Sequence, residues 1–278
     1  MPRIIIESGH AERHYWQDIW RYRELFYVLA WRDISVRYKQ TAIGVVWALV
    51  QPLMLVVVGT FIGSMANFPT NGVPRPLWIF AATLPWQFFS ASLTAGGQSL
   101  IANANLISKV YFPRMIVPGS AVVTAVVDAL IMFVLFVGLM AWYHVVPTWR
   151  FVFLPLLGGL TFLTALGPGL LINALNVQYR DFRYVIPFVI QTGFYLSPVI
   201  YSSTDVSTRL AAKFPLLATL FPLNPMVGVI ESFRWALLGG ASPVSATNFA
   251  CTLAVTAIML VGGVWYFRRM ERVFADVI

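Results

Sequence analysis

The chain has 278 residues, 59% of them hydrophobic and only 11% charged, with a net charge of +8. Soluble domains carry roughly 25% charged residues, so a mean hydropathy of +0.74 excludes an ordinary soluble enzyme and ties the basic excess to membrane topology rather than to nucleic acid. The single cysteine, Cys251, excludes a disulfide framework or a cysteine metal site within one chain.

Residues 1–42 form a polar, basic segment without the short apolar core and small-residue cleavage site of a leader, so a cleavable signal peptide is not expected. His10 and His14, four apart, are too isolated in this polar stretch to predict a metal site. Between Arg21 and Thr41, Tyr27, Trp31, Ile34 and Tyr38 recur at helical spacing. Leu25, Leu29 and Val36 lie roughly opposite, with Arg32, Asp33, Arg37 and Lys39 between. This predicts a helix in the cytoplasmic interface, either anchoring only or also touching a partner protein.

Six candidate spans follow, at roughly 43–64, 77–100, 116–142, 151–175, 184–201 and 249–267, each near the length of about 20 apolar residues that a bilayer requires. Pro52, Pro85, Pro155, Pro168, Pro187 and Pro198 fall inside them and predict kinks. Gly59 and Gly63 allow close helix approach in the first span. Lysine and arginine assign the sides. Seven lie in the N-terminal segment, two in the loop after span 2, two after span 4 and three after span 6, against five on the opposite face. Both termini are therefore expected in the cytoplasm. The stretch 214–240 is apolar, but Pro215, Pro222, Pro225, Glu231 and Arg234 interrupt it, which predicts short re-entrant or interfacial helices on the outer face.

The loop 101–118 is too apolar for a solvated turn, since Ile107, Val110, Tyr111 and Phe112 need cover. A partner-docking helix and a simple extension of the span both account for it. Asp128 is the one carboxylate well inside a span, which makes it a suspect for ion coupling or the hydrogen-bonded partner of a neighbouring helix. Trp47, Trp86, Phe88, Phe89, Phe194 and Tyr195 sit deep in spans, as core packing or as the lining of a sugar path. His144, beside Trp142 and Tyr143, reads as an interfacial residue. None of the three lysines follows a glycine or precedes Ser or Thr, so no P-loop is present. Any ATP drive must come from another chain.

Four separated runs, WRDISVRYKQTAIGVVWALVQPL, NANLISKVYFPR, LNPM at 223–226 and the terminal RRMERVFADVI, together resemble the permease subunits of polysaccharide-exporting type-2 ABC transporters. That class moves lipid-linked O-antigen, capsule and teichoic-acid chains. The resemblance covers essentially the whole chain. It implies an all-α membrane fold of six helices (43–267) between cytoplasmic segments 1–42 and 268–278, in a bacterial inner membrane. It implies a homodimer joined to two ATP-binding subunits, which hold the ATP and magnesium, and no catalytic residues, cofactor or metal in this chain. It places the interfacial helix at Tyr27, Trp31, Arg32, Asp33, Arg37 and Tyr38. Leu106, Ile107, Lys109, Val110, Tyr111, Phe112 and Arg114 become an ATPase-coupling helix over about 103–113. Asn224, Pro225, Glu231 and Arg234 become an outer gate within a re-entrant region over about 203–245, and the deep aromatics become the translocation path. Three rivals stand beside this reading: an ABC efflux permease for a drug or small lipid, an ion-coupled carrier using Asp128, and a lipid-sugar transferase, against which the lack of clustered carboxylates counts.

Overall fold

The computed structural model describes residues 15–39, 45–239, 244–271 and 274, with the side chains of 45, 47, 48, 180 and 209–211 excepted. No strand occurs among the described residues. Two helices precede the bundle, α1 (Tyr15–Arg21) and α2 (Arg23–Lys39). They are followed by α3 (Val45–Met65), α4 (Arg75–Ala102), the four-residue α5 (Ala104–Ile107), α6 (Ile116–Ala121), α7 (Val123–Trp142), α8 (Leu154–Gln178) and α9 (Val185–Leu196). The chain then runs through α10 (Ser203–Lys213), α11 (Pro215–Leu220), α12 (Pro225–Leu237) and α13 (Ala246–Glu271).

Three stretches are long and apolar enough to cross a membrane: Ile116–Trp142, which combines α6 and α7, Trp149–Gln178, and Ala246–Glu271. With α3 exposing Leu53, Met54, Val57, Val58, Phe61 and Ile62, they make the chain an integral membrane protein. The fifth predicted span is the one the structure shortens. Its helix, α9, has 12 residues, or about 18 Å of axial rise, against a hydrocarbon core of about 30 Å. Residues 180–184 before it form a 3₁₀ turn. Ser197, where α9 ends, is already extended.

The centre of the fold is α4. Its 28 residues pack against α3, α6, α7, α8, α9 and α12, and Leu77 to Ala82, Leu93 and Leu100 are essentially inaccessible. A helix enclosed by protein need not be lipid-compatible, which is why α4 tolerates serines, threonines and glutamines. Polar ties cross its interfaces: Asn173 of α8 donates to the Gly96 carbonyl at 2.7 Å and to Ser99 Oγ at 2.9 Å.

The closest helix approach is between α8 and α13. A Cβ on Gly263 would stand 2.2 Å from the Gly167 carbonyl oxygen, and one on Gly167 would stand 2.6 Å from the Met259 carbonyl carbon. One turn away, the Thr164 and Thr256 hydroxyls share a hydrogen bond of 3.0 Å. The glycines singled out in span 1 are less crowded: a Cβ on Gly59 or Gly63 would meet only side-chain atoms, of Ile79 and Arg75, at 3.2 and 3.1 Å. Of the six span prolines, Pro52, Pro85 and Pro168 lie inside helices, whereas Pro155 opens α8, where a missing N–H costs nothing.

The apolar stretch 214–240 folds as two helical segments, Pro215–Leu223 and Pro225–Leu237, bent by 70° at Asn224. Asn224 caps the second: its Oδ1 accepts from the Met226 N–H at 3.0 Å, and its amide donates to Ser197 Oγ at 2.9 Å. Pro225 follows at the first turn of α12. Arg234 is 1% exposed. Its guanidinium donates to the carbonyls of Val199 (2.8 Å), Tyr201 (3.2 Å) and Trp78 (3.3 Å), and stacks 4.4 Å from the Trp78 ring. Glu231, also buried, accepts from Asn248 at 2.8 Å and from Ser203. Buried charges are tolerated where such donors and acceptors replace water. The pair therefore locks α12 to α4, α10 and α13.

Candidate functional site

One face of α4 escapes burial. Gln87, Ala91, Thr94, Ala95 and Gln98 are partly or largely accessible, while nearly every other residue from Leu77 to Leu100 is buried. Their spacing of four, three, one and three residues draws a single stripe along the helix. The stripe forms one wall of an open groove of about 1230 Å³, bordered by α2, α3, α6–α7 and Ile190 of α9. The lining mixes polar groups with apolar ones: Gln51 lines it from α3 and Thr124 and Asp128 from α6–α7, beside Val36, Val50, Met132 and Ile190. Ser90 and Thr94 give their hydroxyl protons to backbone carbonyls of α4 itself, Gln87 and Ser90 respectively. This leaves their oxygen lone pairs, and the carboxamides of the glutamines, as the hydrogen-bonding groups of the groove.

Among the described residues four charged ones line the groove, all at its α2 end, in two pairs. Arg32 meets Asp33 at 2.7 Å, and Arg37 meets Asp128 at 2.6 Å. The intramembrane carboxylate is thus a structural partner: Asp128 also accepts a hydrogen bond from Tyr38. Burial, and after it the hydrogen bond and charge of Asp128, push the Tyr38 phenol above its ordinary range, so Tyr38 remains a neutral donor. Arg32 reaches the Asn103 carboxamide at 2.7 Å, at the junction where α4 gives way to α5. Helix α2 is therefore pinned across the groove mouth at two points. Its Leu29 is buried against the bundle, while Tyr27 and Trp31 remain exposed.

Loss of the pair should loosen α2 measurably. Asp128→Ala is expected to speed amide exchange in residues 23–39 about tenfold, the worth of a part-exposed ion pair plus one hydrogen bond. Asp128→Asn, which keeps an acceptor for Tyr38, should have a smaller effect. Unchanged exchange in both would remove Asp128 from this role.

The expected coupling segment is built from anchors and an edge. Helix α5 ends at Ile107, short of the 103–113 anticipated, and turns follow. Ile107 (5% exposed) and Phe112 (3%) insert into a cluster with Leu29, Leu100, Ile116, Leu170 and Phe267, with Leu106 packed at its margin. Between these anchors Lys109, Val110 and Tyr111 stand exposed. The segment is then clasped to the far end of the chain: the Arg114 N–H donates to Glu271 at 2.8 Å, and the Arg114 side chain bonds the Glu271 carbonyl.

The deep aromatics are placed differently from the groove. Trp86, Phe88 and Phe89 point to the buried sides of α4, Trp86 and Phe88 one residue and so about 100° away from Gln87, and Phe89 two residues and about 200° away. Trp86 contacts Phe89 and Phe194, and Phe194 contacts Tyr195, at centroid separations of 5.6–5.8 Å. This aromatic chain runs from the core to Tyr195, which is 68% exposed on α9. The Trp47 side chain lies outside the described residues. Sequence reasoning missed the glutamine stripe. The signal was available, since Gln87, Thr94 and Gln98 recur at helical spacing, but polar residues in a span are readily taken for weak points of the span. No cluster of metal-ligating side chains occurs among the described residues.

Comparison with known proteins is consistent along the chain. The family described as ABC-2 type transporter matches residues 24–238. An O-antigen export system permease protein, RfbA, of Myxococcus xanthus is 29% identical over 263 residues, covering 94% of this chain and 97% of that one. Its namesake in Klebsiella pneumoniae is 27% identical over 260 residues, 92% and 95% of the two chains. The polysialic acid transport protein KpsM of Escherichia coli is 21% identical over 249 residues, 86% and 91%. With a match spanning α2 to α12, the chain belongs to the ABC-2 type transporter membrane family.

Proposed function

We propose that the chain is the transmembrane subunit of an ABC exporter that moves a lipid-linked polysaccharide from the cytoplasmic to the outer face of a bacterial inner membrane. The observation that carries this reading is the open face of α4. A helix face turned to lipid would present Leu, Val or Ile, as α3 does, whereas Gln87, Thr94 and Gln98 would be costly there. Carboxamides and hydroxyls beside small alanines suit a hydrated passage for a hydroxyl-rich polymer. The polysaccharide-exporting relatives support the same cargo.

In this reading the chain crosses six times, with α9 and its flanking turns as a thin fifth crossing, α11–α12 as the outer re-entrant gate, and both termini cytoplasmic. Two copies assemble, and the exposed aromatic edge at Tyr195 faces the seam between them. The exposed edge Lys109–Tyr111 seats in a separate ATP-binding subunit, one for each copy, where ATP and magnesium are bound. The chain itself catalyses nothing. A carrier driven through Asp128 is disfavoured because Arg37 and Tyr38 already engage that carboxylate.

Purification on a tag carried by this chain, after co-expression with the ATP-binding subunit, tests the reading. A complex of two copies of each chain that hydrolyses ATP is the expected outcome. A chain recovered alone and inert from several detergents would overturn it.

A further inference from the structure

We infer that the groove carries an uncharged polysaccharide, and that the side-chain amides of Gln87 and Gln98 hold its hydroxyls as the chain passes. The inference rests on the proposed role of the groove as the path, and it adds the charge class of the cargo and the residues that read it.

Gln87 and Gln98 lie 11 positions apart on the same face of α4, so their carboxamides are separated by roughly 16 Å along the groove. Each offers two N–H donors and a carbonyl acceptor, which matches a sugar hydroxyl that both gives and takes a hydrogen bond. Between them lie Ala91, Thr94 and Ala95. With Ser90 beside them, this stretch is smooth enough for a polymer to slide and has two hydroxyl oxygens to exchange bonds with. An acyl chain in the same place would leave both carboxamides unsatisfied.

The charge balance disfavours a polyanion. Among the described residues the charged liners are Arg32, Asp33, Arg37 and Asp128, two of each sign, paired within the structure and confined to the α2 end. From Gln98 to Gln87 the wall holds no cation. A chain bearing a carboxylate on every unit would find only a few neutral donors there and no countercharge, a poor exchange for bulk water. Hydroxyls lose far less and are matched by the amides.

The test uses the complete complex with its ATP-binding subunit in proteoliposomes. Two probes share one polyprenyl diphosphate anchor: a neutral mannan and a polysialic acid. The mannan is expected to cross at least about tenfold faster. Gln87→Leu combined with Gln98→Leu should raise the KM for the mannan about tenfold, the loss of one to two hydrogen bonds. Gln98→Lys should shift preference toward the polysialic acid. Faster transport of the polysialic acid by the unaltered complex would overturn the charge assignment, and an unchanged KM in the leucine variant would overturn the assignment of contacts.

Failure of the path itself reads differently. Ala95→Trp, which fills the groove, should stop both probes. Transport of both at the unaltered rate would mean that the polymer travels elsewhere. If the tryptophan variant does not assemble, Ala91→Leu narrows the same wall with a smaller side chain and is read in the same way.

Discussion

Replacing Val110 and Tyr111 together with glutamate is expected to abolish export while leaving the membrane domain folded. The two side chains are 50% and 58% exposed, so nothing inside the chain depends on them. Their neighbours Ile107 and Phe112 are the buried anchors, and both remain. An apolar pair held on a short, anchored loop is the arrangement of an interface hot spot, where truncation or charge costs about 2–4 kcal/mol and so weakens association by thirtyfold or more. Two carboxylates buried against a partner add desolvation to lost contact. Co-purification of the ATP-binding subunit should fall by at least that factor, with the unfolding temperature of the isolated membrane subunit unchanged. Normal export by the double variant would move the coupling contact off this loop.

The second large effect is on the fold. Gly263→Ala adds one methyl group, yet its Cβ would stand 2.2 Å from the backbone oxygen of Gly167, and backbone cannot swing aside as a side-chain tip can. Helices α8 and α13 must separate, which also breaks the shared hydrogen bond between Thr164 and Thr256. The expected cost is about 3 kcal/mol, at the upper end for overpacking. The yield of folded protein in detergent should drop sharply. Gly262→Ala is the control: its Cβ would meet nothing within 4 Å, and it should behave as the unaltered protein. Equal stability of the two variants would show that α8 and α13 do not approach as closely as described.

Helix α13 also joins the two ends of the molecule. Its C-terminal Glu271 holds Arg114 beside the exposed edge Lys109–Tyr111, and its N-terminal turns hold α12 through Asn248 to Glu231 and Thr252 to the Pro225 carbonyl. A displacement of the loop around Val110 and Tyr111 therefore has a stiff helix on which to act.

Much of this molecule was legible in the residues. Runs of apolar side chains are long because the bilayer is thick, so α3, α7, α8 and α13 announced themselves by length alone. Helix α2 was visible because residues three and four apart share a face. The break at 214–240 followed from Pro222 and Pro225, which cannot donate, and Asn224 duly caps the helix beyond it. The missing P-loop was equally plain, since phosphate binding needs a specific run of glycines and a lysine.

What only the tertiary structure decided is which neighbour each side chain meets. Trp86 and Gln87 are adjacent in the chain, and nothing local says which of them faces the core; the packing of α8, α7 and α12 around α4 settles it. The partner of Asp128 comes from ninety positions away, and Glu271 clasps Arg114 across 157. Hydrophobicity acts locally and without direction, so a single stretch of sequence displays it. Pairing and enclosure depend on where distant helices come to rest, and the groove exists only once they have done so.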